Sequence, residues 1–333
     1  IALIYEERLW GAAGAFCCGT QHPGCAARRG SGILEGEWES TPHTEEGWQL
    51  STISIHNSDN LAFLKAYNGN PIDLIYIDPP FNTGKVQHRQ RMRSIADESG
   101  DRTGFAGRRY RTETIESASY DDSFGDDFIA YLRERVELMR DTLAPNGSFF
   151  LHLDYREVHY AKVMCDQVFG RSCFQNEIIW SYDYGGRPTR KWAPKHDNIL
   201  WYTRDPEKYT FDLDASDRIP YMAPNLVGAE KAARGKIPTD VWWNTIVSPT
   251  GKEKTGYPTQ KPRTIIDRIV TVHTSPGALC ADFFAGSGTL GASCLAHGRD
   301  AILVDANPEA IDVMRQRFAK EGKNVTFTDT SLS

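Results

Sequence analysis

A chain of 333 residues, 40% hydrophobic and 25% charged, has room for one large α/β core and a sizeable insertion. Its formal net charge of -6 excludes nucleic-acid binding through overall charge, so any such contact must be local. Glu6, Glu7 and Arg8 break the first apolar stretch and no window approaches the roughly 18 apolar residues of a membrane span, which predicts a cytoplasmic protein without signal peptide or membrane anchor.

Residues 1–48 form an extension with no readable role, opening on Ile1 as a processed or incomplete chain does. Cys17, Cys18 and Cys25 lie near His22, but the spacing fits none of the usual zinc fingers, so no metal is expected. The seven cysteines are odd in number and scattered, and are read as free thiols of a reducing compartment.

From about 50 to 170 the pattern is β-α-β. Ile53 and Ile55 mark a strand, Leu61 to Tyr67 a helix, and Asp73 to Ile77 a buried strand stopped at Asp78-Pro79-Pro80. A polar stretch follows from Lys85 to Arg111, eight basic residues against three acidic ones, for a net of five positive charges. It reads as a long mobile loop beside a strand end, with Lys85, Arg89 and Arg91 as candidate DNA contacts. Phe128, Leu132, Val136, Met139 and Leu143 then line one face of a helix, which Pro145-Asn146-Gly147 ends before the strand Ser148 to Leu153.

Between about 171 and 258 the periodicity fails and aromatic residues crowd in, among them Trp180, Tyr182, Tyr184, Trp192, Trp201, Tyr202, Trp242 and Trp243. Arg187, Arg190 and Lys191 are interleaved with them, a mixture suited to phosphate and base contacts. The segment reads as a separate lobe; the competing reading makes its rings a small core of their own.

The β-α-β pattern resumes from about 260 to 330. Ile265, Ile266, Ile269 and Val270 lie on a helix, Ala278 to Ala281 on a strand, and Ala301 to Val304 on the next. Asn307 is an N-cap and Pro308 a first helical residue, with Ile311, Met314 and Phe318 facing inward, before a last strand near Val325 to Phe327.

Two turns carry chemistry. In Asp282-Phe283-Phe284-Ala285-Gly286-Ser287-Gly288-Thr289 the glycines allow the backbone to approach a nucleotide-like ligand, and Asp305 ends the next strand, placed to accept from ribose hydroxyls. That pattern fits NAD and S-adenosylmethionine equally. Asp78-Pro79-Pro80-Phe81 puts a carboxylate, a fixed carbonyl and a ring at the end of a strand. An aromatic amine is a poor nucleophile because its lone pair is delocalised; Asp78 and the Pro79 carbonyl can accept its N–H hydrogens and favour the attacking form. Phe81 would stack on a base flipped out of the duplex, and transfer would then be a matter of positioning, without metal or covalent intermediate. A C5-cytosine enzyme needs a cysteine nucleophile, typically after proline, and the chain has no Pro-Cys pair.

These motifs resemble the amino-methylating DNA methyltransferases of restriction-modification systems, of the β class, in which the catalytic half precedes the donor half. The catalytic turn, extended by Asn82-Thr83-Gly84, is similar to that of adenine enzymes and type III modification subunits. Pro258-Thr259-Gln260-Lys261-Pro262 resembles the segment ahead of the donor loop, and Asp282 to Thr289 the loop itself. The resemblance implies an α/β, Rossmann-like fold in circularly permuted order with an inserted target-recognition region. It divides the chain into 49–170 for catalysis, 171–258 for recognition and 259–333 for the donor.

It also implies transfer from S-adenosylmethionine to adenine N6 in double-stranded DNA. Asp78, Pro79, Pro80 and Phe81 are then catalytic, while Asp282, Phe283, Phe284, Gly286, Gly288, Thr289, Asp305, Lys261, Pro262 and Asp59 bind the donor. Asp59 comes from Asn57-Ser58-Asp59-Asn60, where Ser58 replaces the glycine of relatives. Lys195-His196-Asp197-Asn198 also looks familial, with His196 either catalytic or a packed structural residue. A homodimer and a restriction nuclease are the further partners implied. The alternatives are N4-cytosine methylation, which relatives more often perform with Ser in place of Asp78, an NAD-dependent enzyme, and a non-catalytic DNA-binding component.

Overall fold

The computed structural model describes residues 51–329, apart from 84, 97–101, 104–108, 123, 249–250 and 322–324; for 85–96, 102–103, 110–122, 126, 320–321 and 329 it describes the backbone alone. The cysteines at 17, 18 and 25, with His22, lie outside the described residues. Among the described residues no helix is long and apolar enough to cross a membrane.

The chain order is β1 (Ile53–Asn57), α1 (Asn60–Ala66) and β2 (Ile72–Ile77), then β3 (Lys85–Ala96), β4 (Arg102–Thr103) and β5 (Arg109–Asp122). There follow α2 (Phe128–Thr142), β6 (Leu143–Leu153), α3 (Val158–Phe169), β7 (Phe174–Ser181), β8 (His196–Thr203), α4 (Ala229–Arg234) and β9 (Val241–Trp243). The last block holds α5 (Arg263–His273), β10 (Leu279–Asp282), α6 (Thr289–His297), β11 (Asp300–Asp305), α7 (Pro308–Glu321) and β12 (Val325–Asp329).

Nine strands form one sheet in the order β12-β1-β11-β10-β2-β6-β8-β7-β9. From β12 across to β6 all neighbours are parallel, β8 runs antiparallel to both β6 and β7, and β9 is parallel to β7. Strand side chains alternate between two cores. Leu74, Tyr76 and Phe150 point to the face covered by α5, α6 and α7 through Ile265, Ile269, Leu290, Met314 and Phe318. Ile75, Ile77, Phe149 and Leu151 point to the face covered by α1, α2 and α3 through Leu64, Leu132, Val136, Met139 and Met164. The α2 stripe is the one read from sequence; each such side chain, fully buried, contributes about 1.5–3 kcal/mol. The α7 cap also agrees, the Glu309 N–H donating to Asn307 Oδ1 at 3.0 Å.

Four features differ from expectation. The first strand does not stay with its own block: β1 lies between β11 and β12, pairing Ile55 with Leu303 on one side and Phe327 on the other. Pro145 and Asn146 do not end the chain's pairing with β2. Ile72 pairs with Leu143 and Leu74 with Ser148, so the residues between bulge outward inside a longer β6. Pairing to both neighbours is recovered after the bulge, which a local stop signal cannot reveal.

The segment 171–258 is not wholly a separate lobe, because β7, β8 and β9 extend the main sheet and bury Trp180, Trp201, Tyr202 and Trp242. Only Tyr184, Trp192 and Trp243 remain well exposed among the rings named above. Lastly, the expected loop after the Asp-Pro-Pro-Phe turn is an antiparallel hairpin of β3 and β5, with β4 at its edge. Its return strand brings Glu113, Glu116, Asp121 and Asp122, so over 85–122 eight basic residues meet seven acidic ones and the net is one positive charge. Register sets Arg91 opposite Glu116 and Arg93 opposite Glu113. The side chains of Lys85, Arg89 and Arg91 lie outside the described residues.

Candidate active site

Parallel strands β2 and β10 are neighbours, with Leu74 beside Cys280 and Ile75 beside Ala281. They leave the sheet at the same edge. From β10 the chain turns through α6 to β11 on one side; from β2 it proceeds through the hairpin and α2 to β6 on the other. Between strands whose connections diverge, the loops separate and leave a crevice. A cavity of about 410 Å³ fills it, walled by the turn after β2, the turn after β10, the end of β11 and the segment before α5.

The structure brings Asp78, Pro79, Pro80 and Phe81 to this cavity together with Lys261, Asp282, Phe284, Gly286, Thr289 and Asp305. Asp282 is 4% exposed, and burial, with Asp78 and Asp305 adding to it, raises its carboxyl well above the usual range against the Phe284 N–H that it accepts at 2.9 Å. Burial also raises Asp305, whose two oxygens accept the N–H groups of Gly286 and Asn307 at 2.8 Å each. A carboxylate has about four acceptor positions, so Asp305 keeps capacity for a ligand's hydroxyls.

Phe283, Gly288, Pro262 and Asp59 do not line the cavity. Phe283 is fully buried beneath the loop, its carbonyl accepting from Asn60 Nδ2 at 2.9 Å. Gly288 has φ +70°, and a Cβ there would lie 2.9 Å from Met314 Cγ and 3.0 Å from Phe318 Cε2; the position is needed for the helix α6 to seat on α7. Gly286, at φ +49°, faces the Tyr257 ring across the cavity wall. Pro262 caps α5. Asp59 caps α1, its Oδ1 accepting the Ala62 N–H at 2.9 Å, and its other oxygen lies 3.6 Å from buried Arg135. Arg187, Arg190 and Lys191 sit on the exposed segment between β7 and β8, away from the core.

Two residues at the site, Asn82 and His152, were given no role from the sequence, and Lys261, expected to bind the donor, has a partner that the sequence did not show. Its Nζ donates to Asp78 Oδ1 at 2.7 Å and Oδ2 at 2.6 Å, and lies 4.7 Å from the Phe81 ring centre. Asn82 has φ 51°, unusual for a residue with a Cβ. Its Oδ1 accepts the N–H groups of Phe124 and Gly125 at 2.9 Å, and its Nδ2 donates to Gly125 O and Glu157 Oε1, so it closes the two ends of the hairpin beside the catalytic turn. His152, fully buried behind Phe81, accepts or donates at both ring nitrogens. Of Asn82 and His152 only Asn82 left a signal, as the residue following an Asp-Pro-Pro-Phe turn.

With the crevice defined, comparison with known proteins decides the family. The model of the DNA methylase family matches residues 72–316, well over half of the chain. The chain belongs to that family. The methylase is 29% identical over 268 residues to the type II methyltransferase M.HpaI of Haemophilus parainfluenzae, covering 79% of this chain and 73% of the relative. To the DNA adenine methyltransferase YhdJ of Escherichia coli K12 it is 28% identical over 288 residues, covering 83% and 85%. Among solved structures, that of the M1.HpyAVI-SAM complex matches with a TM-score of 0.53 at 20% identity, covering 80% of this methylase and 99% of that chain. The Rossmann-like α/β fold is therefore shared, with the Asp78–Phe81 turn of the methylase preceding its glycine loop.

Proposed function

We propose that this methylase transfers a methyl group from S-adenosylmethionine to the N6 amino group of an adenine extruded from double-stranded DNA. One observation carries the reading: Asp78 and Phe81 share a cavity with Gly286 and Asp305, so a base amine and a nucleoside-bearing donor have a common chamber.

The walls suit that donor. Asp78, Asp282 and Asp305 supply three acidic side chains, and among the described residues the one lysine lining the cavity is already on Asp78. Such a wall disfavours the diphosphate of NAD and favours a net cation. When bound, the donor supplies an electrophilic methyl group on its sulfonium. Gly286 allows close approach, and Asp305 accepts ribose hydroxyls. On the other side Asp78, oriented by Lys261, and the Pro79 carbonyl accept the amine's hydrogens, while Phe81 stacks on the ring.

The exposed segment carrying Arg187, Arg190, Lys191 and Trp192, with the hairpin β3–β5, would hold the duplex. M.HpaI and YhdJ bear the names of a type II and an adenine methyltransferase, and the second name supports adenine as the target; a restriction nuclease and a second copy of the chain are partners to test. The decisive experiment incubates the protein with duplex DNA and labelled donor and identifies the modified nucleoside by mass spectrometry. N6-methyladenine is expected; N4-methylcytosine would move the target to cytosine, and no labelled nucleoside would overturn the reading.

A further inference from the structure

In the segment Lys195-His196-Asp197-Asn198 the third residue joins a buried chain of hydrogen bonds. Asp197 is 6% exposed, and its two oxygens are shared between different parts of the molecule. Oδ2 faces His152 Nε2 at 3.2 Å, and Oδ1 accepts the Tyr182 hydroxyl at 3.0 Å. On the far side of the imidazole, His152 Nδ1 meets the Tyr76 hydroxyl at 2.7 Å. Burial acts to raise Asp197, but the bonds from His152 and Tyr182, with the field of Lys261, bring it below its ordinary value, so it is ionised and accepts only. Nε2 therefore donates to Asp197, and in the neutral imidazole Nδ1 accepts from Tyr76.

The chain crosses the sheet on one face. Tyr76 comes from β2, His152 from β6, Asp197 from β8 and Tyr182 from the residue after β7, and these strands are adjacent in that order. Each shares its side with core residues two positions away, Leu74, Phe150, Ile199 and Trp180 respectively. One end is Tyr76, on the cavity wall two residues before Asp78. The imidazole in the middle lies behind Phe81, ring centres 6.1 Å apart, with the Trp180 ring edge-on at 5.6 Å. The other end is the root of the exposed basic segment: the Tyr182 N–H donates to Lys195 O at 3.0 Å, and Lys195 Nζ grips the carbonyls of Tyr184 and Gly185.

A strip of apolar side chains in this place would stabilise the sheet equally well, since buried polar groups stabilise little beyond satisfying one another. What hydrogen bonds add is direction. We propose that Tyr76, His152 and Asp197 are positioning residues that set the imidazole under Phe81 by reference to the root of the 182–195 segment, so that engagement of DNA there aligns the base against the donor. This rests on the function proposed above.

The test uses the full chain with Asp197→Asn, Tyr76→Phe and the double variant. An Asn amide at 197 can donate to Nε2, which turns the imidazole to its other tautomer and leaves the Tyr76 hydroxyl facing an N–H. Tyr76→Phe removes a single oxygen and keeps the ring, so one variant folds even if the other does not. Misplacing the reacting groups by about 1 Å costs on the order of a hundredfold, so each single variant is expected to lower kcat between about tenfold and a hundredfold, with donor Kd within about twofold. Because both break one chain, the double variant should be no slower than about threefold below the worse single one. A 2-aminopurine at the target position should fluoresce more brightly in the variants, its stacking on Phe81 being loosened; a merely structural role leaves this signal unmoved. Folded variants with unchanged kcat, or losses that multiply in the double variant, overturn the proposal. A wild-type protein that transfers no methyl to DNA fails the proposed function instead.

Discussion

Replacing Lys261 by Met separates two roles for that residue. The family resemblance makes it a holder of the donor; the structure puts its ammonium on both oxygens of Asp78, at 2.6 and 2.7 Å, with the two side chains 11% and 15% exposed. A hydrogen bond to a charged group contributes about 1.5–3 kcal/mol. The cavity admits water, which argues for the lower half of that range, and about 2 kcal/mol corresponds to roughly a thirtyfold fall in rate at about 1.4 kcal/mol per decade. Single-turnover transfer of labelled methyl groups to duplex DNA should show that fall. Donor affinity, measured by calorimetry, should move the other way or not at all, because Asp78, Asp282 and Asp305 would then face a cationic donor without compensation. A tenfold weaker donor with undiminished single-turnover rate would refute the assignment of Lys261 to Asp78.

The two loop glycines should part company. Gly288→Ala adds a Cβ at φ +70° against Met314 and Phe318, and is expected to destabilise the fold by about 2–4 kcal/mol in urea denaturation; Gly286→Ala intrudes 3.1 Å from Tyr257 Cε1 and should chiefly weaken donor binding. Asp282→Asn should raise stability in the donor-free protein. Burial raises the native carboxyl above its ordinary value of 3.8, so the native state holds the proton longer than the unfolded chain and loses stability as pH rises from there. The Asn variant's advantage must therefore widen between about pH 4 and neutrality, and thermal melts with a constant difference across that range would contradict the cause given. Asn82→Ala loses its side-chain bonds to Phe124, Gly125 and Glu157 and keeps an unfavourable φ of 51°, so a loss of about 2–3 kcal/mol in urea denaturation is expected, and none would show that the hairpin ends are held elsewhere.

Local signals in the sequence were reliable where a residue's role depends on its chain neighbours. The α2 stripe, the Asn307 cap and the meeting of Asp78 with Gly286 at adjacent strand ends all follow from short-range pattern and from where open α/β sheets leave their crevices. What failed depends on distant partners. Nothing near Ile53 indicates that β1 will lie between β11 and β12, since parallel neighbours share no turn. The charge of the stretch after the Asp-Pro-Pro-Phe turn looked high because four of the hairpin's seven acids arrive on the return strand beyond Arg111, from Glu113 to Asp122. Aromatic crowding between 171 and 258 mixed two populations, rings buried by the added strands and rings left on the surface, which composition cannot separate. Lys261 was assigned by its motif, and its distance of 183 positions from Asp78 hid the pairing.

The place of β1 has a consequence for synthesis. Its hydrogen-bonding partners on both sides are among the latest parts of the described chain to leave the ribosome, Asp300–Asp305 and Val325–Asp329. The strand that emerges early must wait, unpaired, until nearly all the rest has been made, and contacts so far apart in sequence form slowly. A nascent polypeptide thus holds the acid and ring of the Asp78–Phe81 turn well before the strand that ends on Asp305 exists, and the cavity they share is among the last features to be completed.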